Sequence, residues 1–136
     1  MLIPAISFMG NCDEAITYYK ETFGAEAKFI SYGGEAPEEF TKGEPFPEKY
    51  VMYSEVTLFG TKFVMTDGAK KPLAESDTWM QLSFDTKEEV ISVFEKLSDG
   101  GKVVEAPTPQ FWATLNAYVI DRYGVFWNIL TNEQIS

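Results

Sequence analysis

Apolar residues recur at helical spacing twice in this chain, and each time the helical stretch lies between runs of strand-like alternation. In the first stretch Cys12, Ala15, Ile16, Tyr19 and Phe23 form one stripe, Asn11 and Glu14 have the spacing of a capping box, and Gly24 supplies the stop. In the second, Val90, Ile91, Phe94 and Leu97 form the stripe, Thr86 and Glu89 the capping box, and Gly100 with Gly101 the stop. Residues 2–8 and 27–32 read as strands on either side of the first helix. Pro4 has no backbone N–H, so the first of these suits a sheet edge or the start of a paired region. Residues 50–59 alternate most clearly, with Met52, Ser54, Val56 and Leu58 on one face and Val51, Tyr53, Glu55, Thr57 and Phe59 on the other. Gly60-Thr61 then turns the chain into a partner strand over residues 62–66.

The second half repeats this order. A strand over 79–84 leads into the helix over 86–98, followed by a short strand over 102–105 and a loop over 106–110 that holds Pro107 and Pro109. A long strand from Phe111 or Trp112 to Asp121 turns through Arg122, Tyr123 and Gly124 into a last strand over 125–130. Aligning Glu14-Ala15-Ile16 with Glu89-Val90-Ile91 gives an internal repeat of about half the chain. Each half is strand, helix, strand, strand, strand. The expected fold is therefore α+β, two tandem βαβββ modules at about 1–67 and 79–136 joined by a turn-rich connector at 68–78 within one domain. Residues 33–49, rich in Pro, Gly and Glu, read as a long loop in which Phe40 and Phe46 favour docking over full solvation.

Composition narrows the chemistry. No run in the 136 residues approaches the ~18 apolar positions of a membrane span, and the chain opens on a strand-like run in place of a basic leader, so a cytoplasmic protein is expected. The formal charge of -10 excludes a nucleic-acid partner, which needs a basic surface; it serves solubility or the attraction of a cationic ligand. The single cysteine, Cys12, cannot form an internal disulfide and reads as a small buried hydrophobe. Histidine is absent, which removes histidine-based triads, histidine acid–base catalysis and the usual zinc or non-haem iron sites together.

The segment Ser7-Phe8-Met9-Gly10-Asn11-Cys12-Asp13-Glu14-Ala15 with Tyr18-Tyr19 and Phe23-Gly24, the second helix with Asp99-Gly100-Gly101, and Asp121-Arg122-Tyr123-Gly124-Val125-Phe126-Trp127-Asn128-Ile129 together resemble the vicinal oxygen chelate superfamily. That superfamily includes glyoxalase, bleomycin-resistance and extradiol-dioxygenase proteins, and the chain looks most like its PhnB-like branch, also labelled demethylubiquinone-methyltransferase-like. The resemblance covers nearly the whole chain and implies curved mixed sheets around a central cleft, with pairing into homodimers. In metal-dependent members His, Glu or Gln side chains from four strands hold a divalent ion. The corresponding positions here are Pro4, Tyr53 or Glu55, Trp79 and Asn128, which leaves one carboxylate and one amide. Where the branch often carries histidine, this chain has Tyr53 and Phe126. About three good ligands are needed for a catalytic first-row metal, so no metal and no cofactor are expected.

If the sheets close as the resemblance implies, Trp79, Trp112, Tyr118, Phe126 and Asn128 would line the cleft with Tyr53 and Glu55. Aromatic faces stack on planar ligands and attract cations; the same rings could equally fill the core of an aromatic-rich domain. Glu55 could act as a general base if an apolar cleft raised its pKa, with Tyr53 polarising a carbonyl, or it could be an exposed strand glutamate. Three functions follow from these choices. The leading one is a metal-free protein that binds a planar or cationic small molecule. The others are a metal-independent enzyme of isomerase, lyase or transferase type built on Glu55 and Tyr53, and an interaction module with a vestigial cleft.

Overall fold

The computed structural model describes residues 1–35, 46–67 and 78–134. The chain divides into two compact units, Met1–Leu73 and Ala74–Ser136. The first holds β1 (Ala5–Ser7), α1 (Cys12–Phe23), β2 (Glu26–Tyr32), a short 3-10 turn at Gly33–Glu35, β3 (Val51–Leu58) and β4 (Thr61–Thr66). The second holds β5 (Met80–Phe84), α2 (Lys87–Ser98), β6 (Lys102–Gln110), β7 (Ala113–Ile120) and β8 (Phe126–Thr131). Their sheets have the same order, β1-β4-β3-β2 and β5-β8-β7-β6, so the expected α+β arrangement of two βαβββ modules is present. Each unit has one parallel pair, β1 with β4 and β5 with β8; the other pairings are antiparallel. Most of the connector, 68–77, and Phe40 in the long loop lie outside the described residues.

In the first unit Cys12, Ala15, Ile16 and Tyr19 are buried, and Val51, Val56, Leu58, Phe63 and Met65 supply the apolar face of the sheet. The helix ends because Gly24 takes φ 68°, where a side chain would be strained, and its N–H returns to the Lys20 carbonyl. At the other end the structure corrects the capping box. Asn11 makes no side-chain cap. The Asp67 carboxylate, one residue beyond β4, takes over: Oδ1 accepts from the N–H groups of Gly10 at 2.8 Å and Cys12 at 2.9 Å, and Oδ2 from Val51 N–H at 2.8 Å.

In the second unit the expected Thr86 cap forms, with the Glu89 side chain bonded to the Thr86 hydroxyl in place of its backbone N–H. The Thr86 hydroxyl accepts from Glu89 N–H at 3.2 Å and donates to the Glu89 carboxylate at 3.0 Å. A distant carboxylate assists here also, since Glu133 accepts from Lys87 N–H at 2.6 Å. The buried stripe of α2 runs through Val90 and Leu97 with Val93 and Phe94 half-buried, whereas Ile91, expected in it, is 43% exposed. Positions 90, 93, 94 and 97 share one helical face, and 91 is turned about 100° from 90. Gly101 is required by packing, because a Cβ there would collide with the Ile120 carbonyl oxygen.

Two strand boundaries differ from expectation. The first strand is only Ala5–Ser7, with the Pro4 carbonyl accepting from Val64 N–H just before it. The expected loop over 106–110 is instead the second half of β6. β6 is an edge strand paired to β7 alone, with register shifts between Val103 and Glu105, Glu105 and Thr108, and Thr108 and Gln110. Prolines are tolerated at such an edge because a missing N–H that faces outward removes no ladder bond.

Asp67→Ala is expected to lower unfolding stability by about 3 kcal/mol, since three backbone donors lose a charged acceptor, and Asp67→Asn by about half of that; urea denaturation with an unchanged slope checks both. Cys12 is fully buried, and burial first, then Asp67 and Asp13, pushes its thiol up to about 12. The native protein should therefore leave Ellman's reagent unreacted at pH 8 and release one thiol equivalent on unfolding in denaturant.

Candidate functional site

Residues paired across strands share a sheet face, as do alternate residues along a strand. In the second unit Ile120 lies opposite Phe126, Tyr118 opposite Asn128 and Asn116 opposite Leu130. One face therefore carries Ala117, Val119, Trp127 and Ile129, each at most 1% exposed, and this apolar face suits the stripe of α2. The other carries Asn116, Tyr118, Phe126 and Asn128. Trp79, two residues before Gln81, which pairs with Asn128, continues it.

On that second face three rings meet. Trp79 stands edge-on to Tyr118 at 6.2 Å and tilted to Phe126 at 6.0 Å, and Tyr118 and Phe126 are 5.8 Å apart. Trp79 is 45% exposed, so the cluster is open to solvent at one end. Asn128 is buried, and its Nδ2 donates to Asn116 Oδ1 at 2.9 Å and to the Ala117 carbonyl at 3.0 Å. Four of the five expected ligand residues thus share a face. Trp112 is apart from them, in the turn between β6 and β7, where its ring meets Phe111 edge-on at 4.7 Å. Asn116 was not foreseen; a polar residue between Leu115 and Ala117, two positions from Tyr118, was its signal in the sequence.

Trp127, in contrast, is structural. Its indole N–H donates to Asp121 Oδ2 at 2.8 Å, while Asp121 Oδ1 accepts from the N–H groups of Tyr123 and Val125. The Asp121-to-Trp127 segment is thus a turn whose aspartate fixes the start of β8.

In the first unit Tyr53 and Glu55 share a face of β3, and the Tyr53 hydroxyl donates to Glu55 Oε2 at 3.0 Å. Lys62 pairs with the same oxygen at 3.0 Å. Phe29 lies opposite Glu55 in register, its ring 6.3 Å from that of Tyr53. Val51, expected on this face, is buried; the register shift between Ser31 and Tyr32 interrupts the alternation. Of the two readings of Glu55, the general base with a raised pKa is not the one its surroundings favour. Hydrogen bonds from Lys62 first and Tyr53 second hold its carboxyl below the usual range, while bonding to Glu55 pushes the Tyr53 phenol and the Lys62 ammonium up. Glu55 is a settled carboxylate at neutral pH and a weakened base.

These residues do not fit a glyoxalase-type metal. Pro4 and Trp79 have no ligating side-chain atom, Asn128 offers only a weak amide oxygen, and Glu55 is held by Lys62. Among the described residues no group of three or more His, Cys, Asp or Glu side chains could hold an ion.

A family model described as 3-demethylubiquinone-9 3-methyltransferase matches residues 1–130. The chain belongs to that family. Protein YjdN of Escherichia coli K12 is 33% identical over 98% of this chain and 96% of its own length. Among solved structures, a PhnB protein from Bacillus cereus is similar with a TM-score of 0.80 at 22% identity, covering 96% of this chain and 98% of that one. A glyoxalase-related enzyme from Fulvimarina pelagi is similar with a TM-score of 0.64 at 15% identity, covering 97% and 88%. The two structural likenesses show a glyoxalase-like fold, so this PhnB-like family member has the α+β arrangement of two four-stranded mixed sheets, each with a helix, that its sequence resemblance implied. Among the described residues no helix is long and apolar enough to cross a membrane.

The depressed pKa of Glu55 adds stability that is fully present above the pKa of an unfolded glutamate and lost as pH falls through its lower folded value. In a carbon-13 NMR titration the Glu55 carboxyl should titrate below an ordinary glutamate, and Lys62→Met should move it up; an unmoved midpoint would contradict the ion pair.

Proposed function

We propose that this chain is a metal-free protein that binds a small molecule, planar or cationic, on the open face of β5, β7 and β8. The observation that supports this reading is the cluster of Trp79, Tyr118 and Phe126, three rings within about 6 Å of one another with the indole partly in solvent. A fully solvated indole gains nothing from being held this way, whereas a flat ligand stacked on it buries the remaining apolar surface. The formal charge of -10 favours a cationic ring on approach, and the rings then hold it through their negative faces. The missing histidines and the poor donor set at the family's metal positions favour binding without an ion. In this reading the protein acts in the cytoplasm as a homodimer, with Trp112 a second ligand contact from the β6–β7 turn.

A second reading is favoured by the Tyr53–Glu55–Lys62 network. It is a metal-independent isomerase, lyase or transferase in which the Tyr53 hydroxyl turns its single O–H from Glu55 to a substrate oxygen. Turnover that survives chelator and is abolished by Glu55→Gln would establish this in place of simple binding.

Titration of the native protein with N-methylquinolinium and naphthalene, followed by tryptophan fluorescence, tests the leading reading. At least one probe should bind. Trp79→Ala should weaken it roughly tenfold, the loss of one stacked ring, and Trp112→Ala should weaken it less. No binding of either probe, or unchanged affinity in Trp79→Ala, would overturn the assignment of the aromatic face.

A further inference from the structure

Asn116 is completely buried in the middle of β7, and its Nδ2 has no hydrogen-bond partner among the described residues. The orientation of its amide follows from its neighbours. The Ala117 carbonyl can only accept, so Asn128 must present Nδ2 to it; that same nitrogen needs an acceptor in Asn116, which therefore turns Oδ1 towards Asn128 and leaves its own NH2 over. Both amides lie on the face that carries Tyr118 and Phe126. An unsatisfied buried donor is costly, and native proteins leave few. Beside a partly exposed aromatic cluster, an unused donor is a specificity element.

We propose that Asn116 is the hydrogen-bond donor of this site, and that its ligand is a flat ring bearing a carbonyl oxygen. The inference rests on the reading of the aromatic face as a binding site and narrows the ligand class. An NH2 group satisfies an acceptor and gives nothing to a cation, so an oxo-substituted ring is preferred over a bare or purely cationic one. Asn128 is the positioning residue: by engaging Asn116 Oδ1 it holds the NH2 in one orientation. Asn116 Nδ2 has essentially no accessible surface, so the oxygen reaches it as side chains of this face part, an adjustment of the kind that rotamer changes on binding supply.

The test compares chromone, a neutral two-ring ketone, with naphthalene, which has no acceptor, on the native protein and on Asn116→Leu. Chromone should bind the native protein roughly fivefold to tenfold more tightly than naphthalene, and Asn116→Leu should erase that preference. The side-chain NH2 signals of Asn116 in a nitrogen-15 NMR spectrum of the native protein should shift with chromone and stay fixed with naphthalene. This second measurement decides the matter if Asn116→Leu does not fold. Equal affinity for the two rings with unmoved NH2 signals would overturn the donor role and leave the amide to a buried water, with the aromatic face still a binding site. Binding of N-methylquinolinium without chromone would do the same. Failure of all three probes would overturn the aromatic face itself and this inference with it.

Discussion

A carboxylate from just beyond the last strand of each unit accepts from backbone N–H groups at the start of that unit's helix. Asp67 does this for α1 and Glu133 for α2. The helix N-terminus carries orphan donors and partial positive charge, so a buried or half-buried anion there satisfies both. The bond also has a topological meaning. The strand before the helix runs parallel to the last strand of the unit, β1 beside β4 and β5 beside β8, so the end of the chain segment returns to where the helix began. Each βαβββ unit is closed by this contact, and Asp67 extends it to β3 through Val51.

Closing each unit in this way leaves its sheet with one face for the helix and one face for other work. The helix-facing side takes the apolar residues, and the other collects groups that would be poor core material: Trp79, Tyr118, Phe126 and the amides Asn116 and Asn128 in the second unit, and Tyr53, Glu55 and Lys62 in the first. The contrast between Trp79, just before β5, and Trp127 of β8 shows the division. Trp127 is 1% exposed and bonded to Asp121, whereas Trp79 keeps nearly half its surface in solvent.

The repeat, both helices and most strands could be read from apolar periodicity, because the period of each element is set by its own backbone. The sequence was a poorer guide wherever a distant residue decided the outcome. Asn11 and Glu14 have the spacing of a cap, yet Asp67, 55 positions from Cys12, does the capping. Pro107 and Pro109 argued for a loop until the edge position of β6 made them harmless. In the candidate site, Trp79, Tyr118, Phe126 and Asn128 could be grouped because they share strand parity, which is local. Asn116 escaped notice since its importance lies in a cross-strand bond to Asn128, and the depressed pKa of Glu55 depends on Lys62 across the β3–β4 hairpin.

The irregular edge of the second sheet bears on how copies of this chain can meet. A regular edge strand offers a ladder of free N–H and C=O groups on which another strand can add. β6 has register shifts around Glu105 and Thr108, with prolines at 107 and 109 on either side of Thr108, and β2, at the edge of the first sheet, carries the exposed Glu26–Lys28 pair and two register shifts of its own. Continuous sheets running from one molecule into the next along these edges are thereby disfavoured. Assembly along these two edges is left to side-chain surfaces, whose geometry can be changed by single substitutions without rebuilding a ladder.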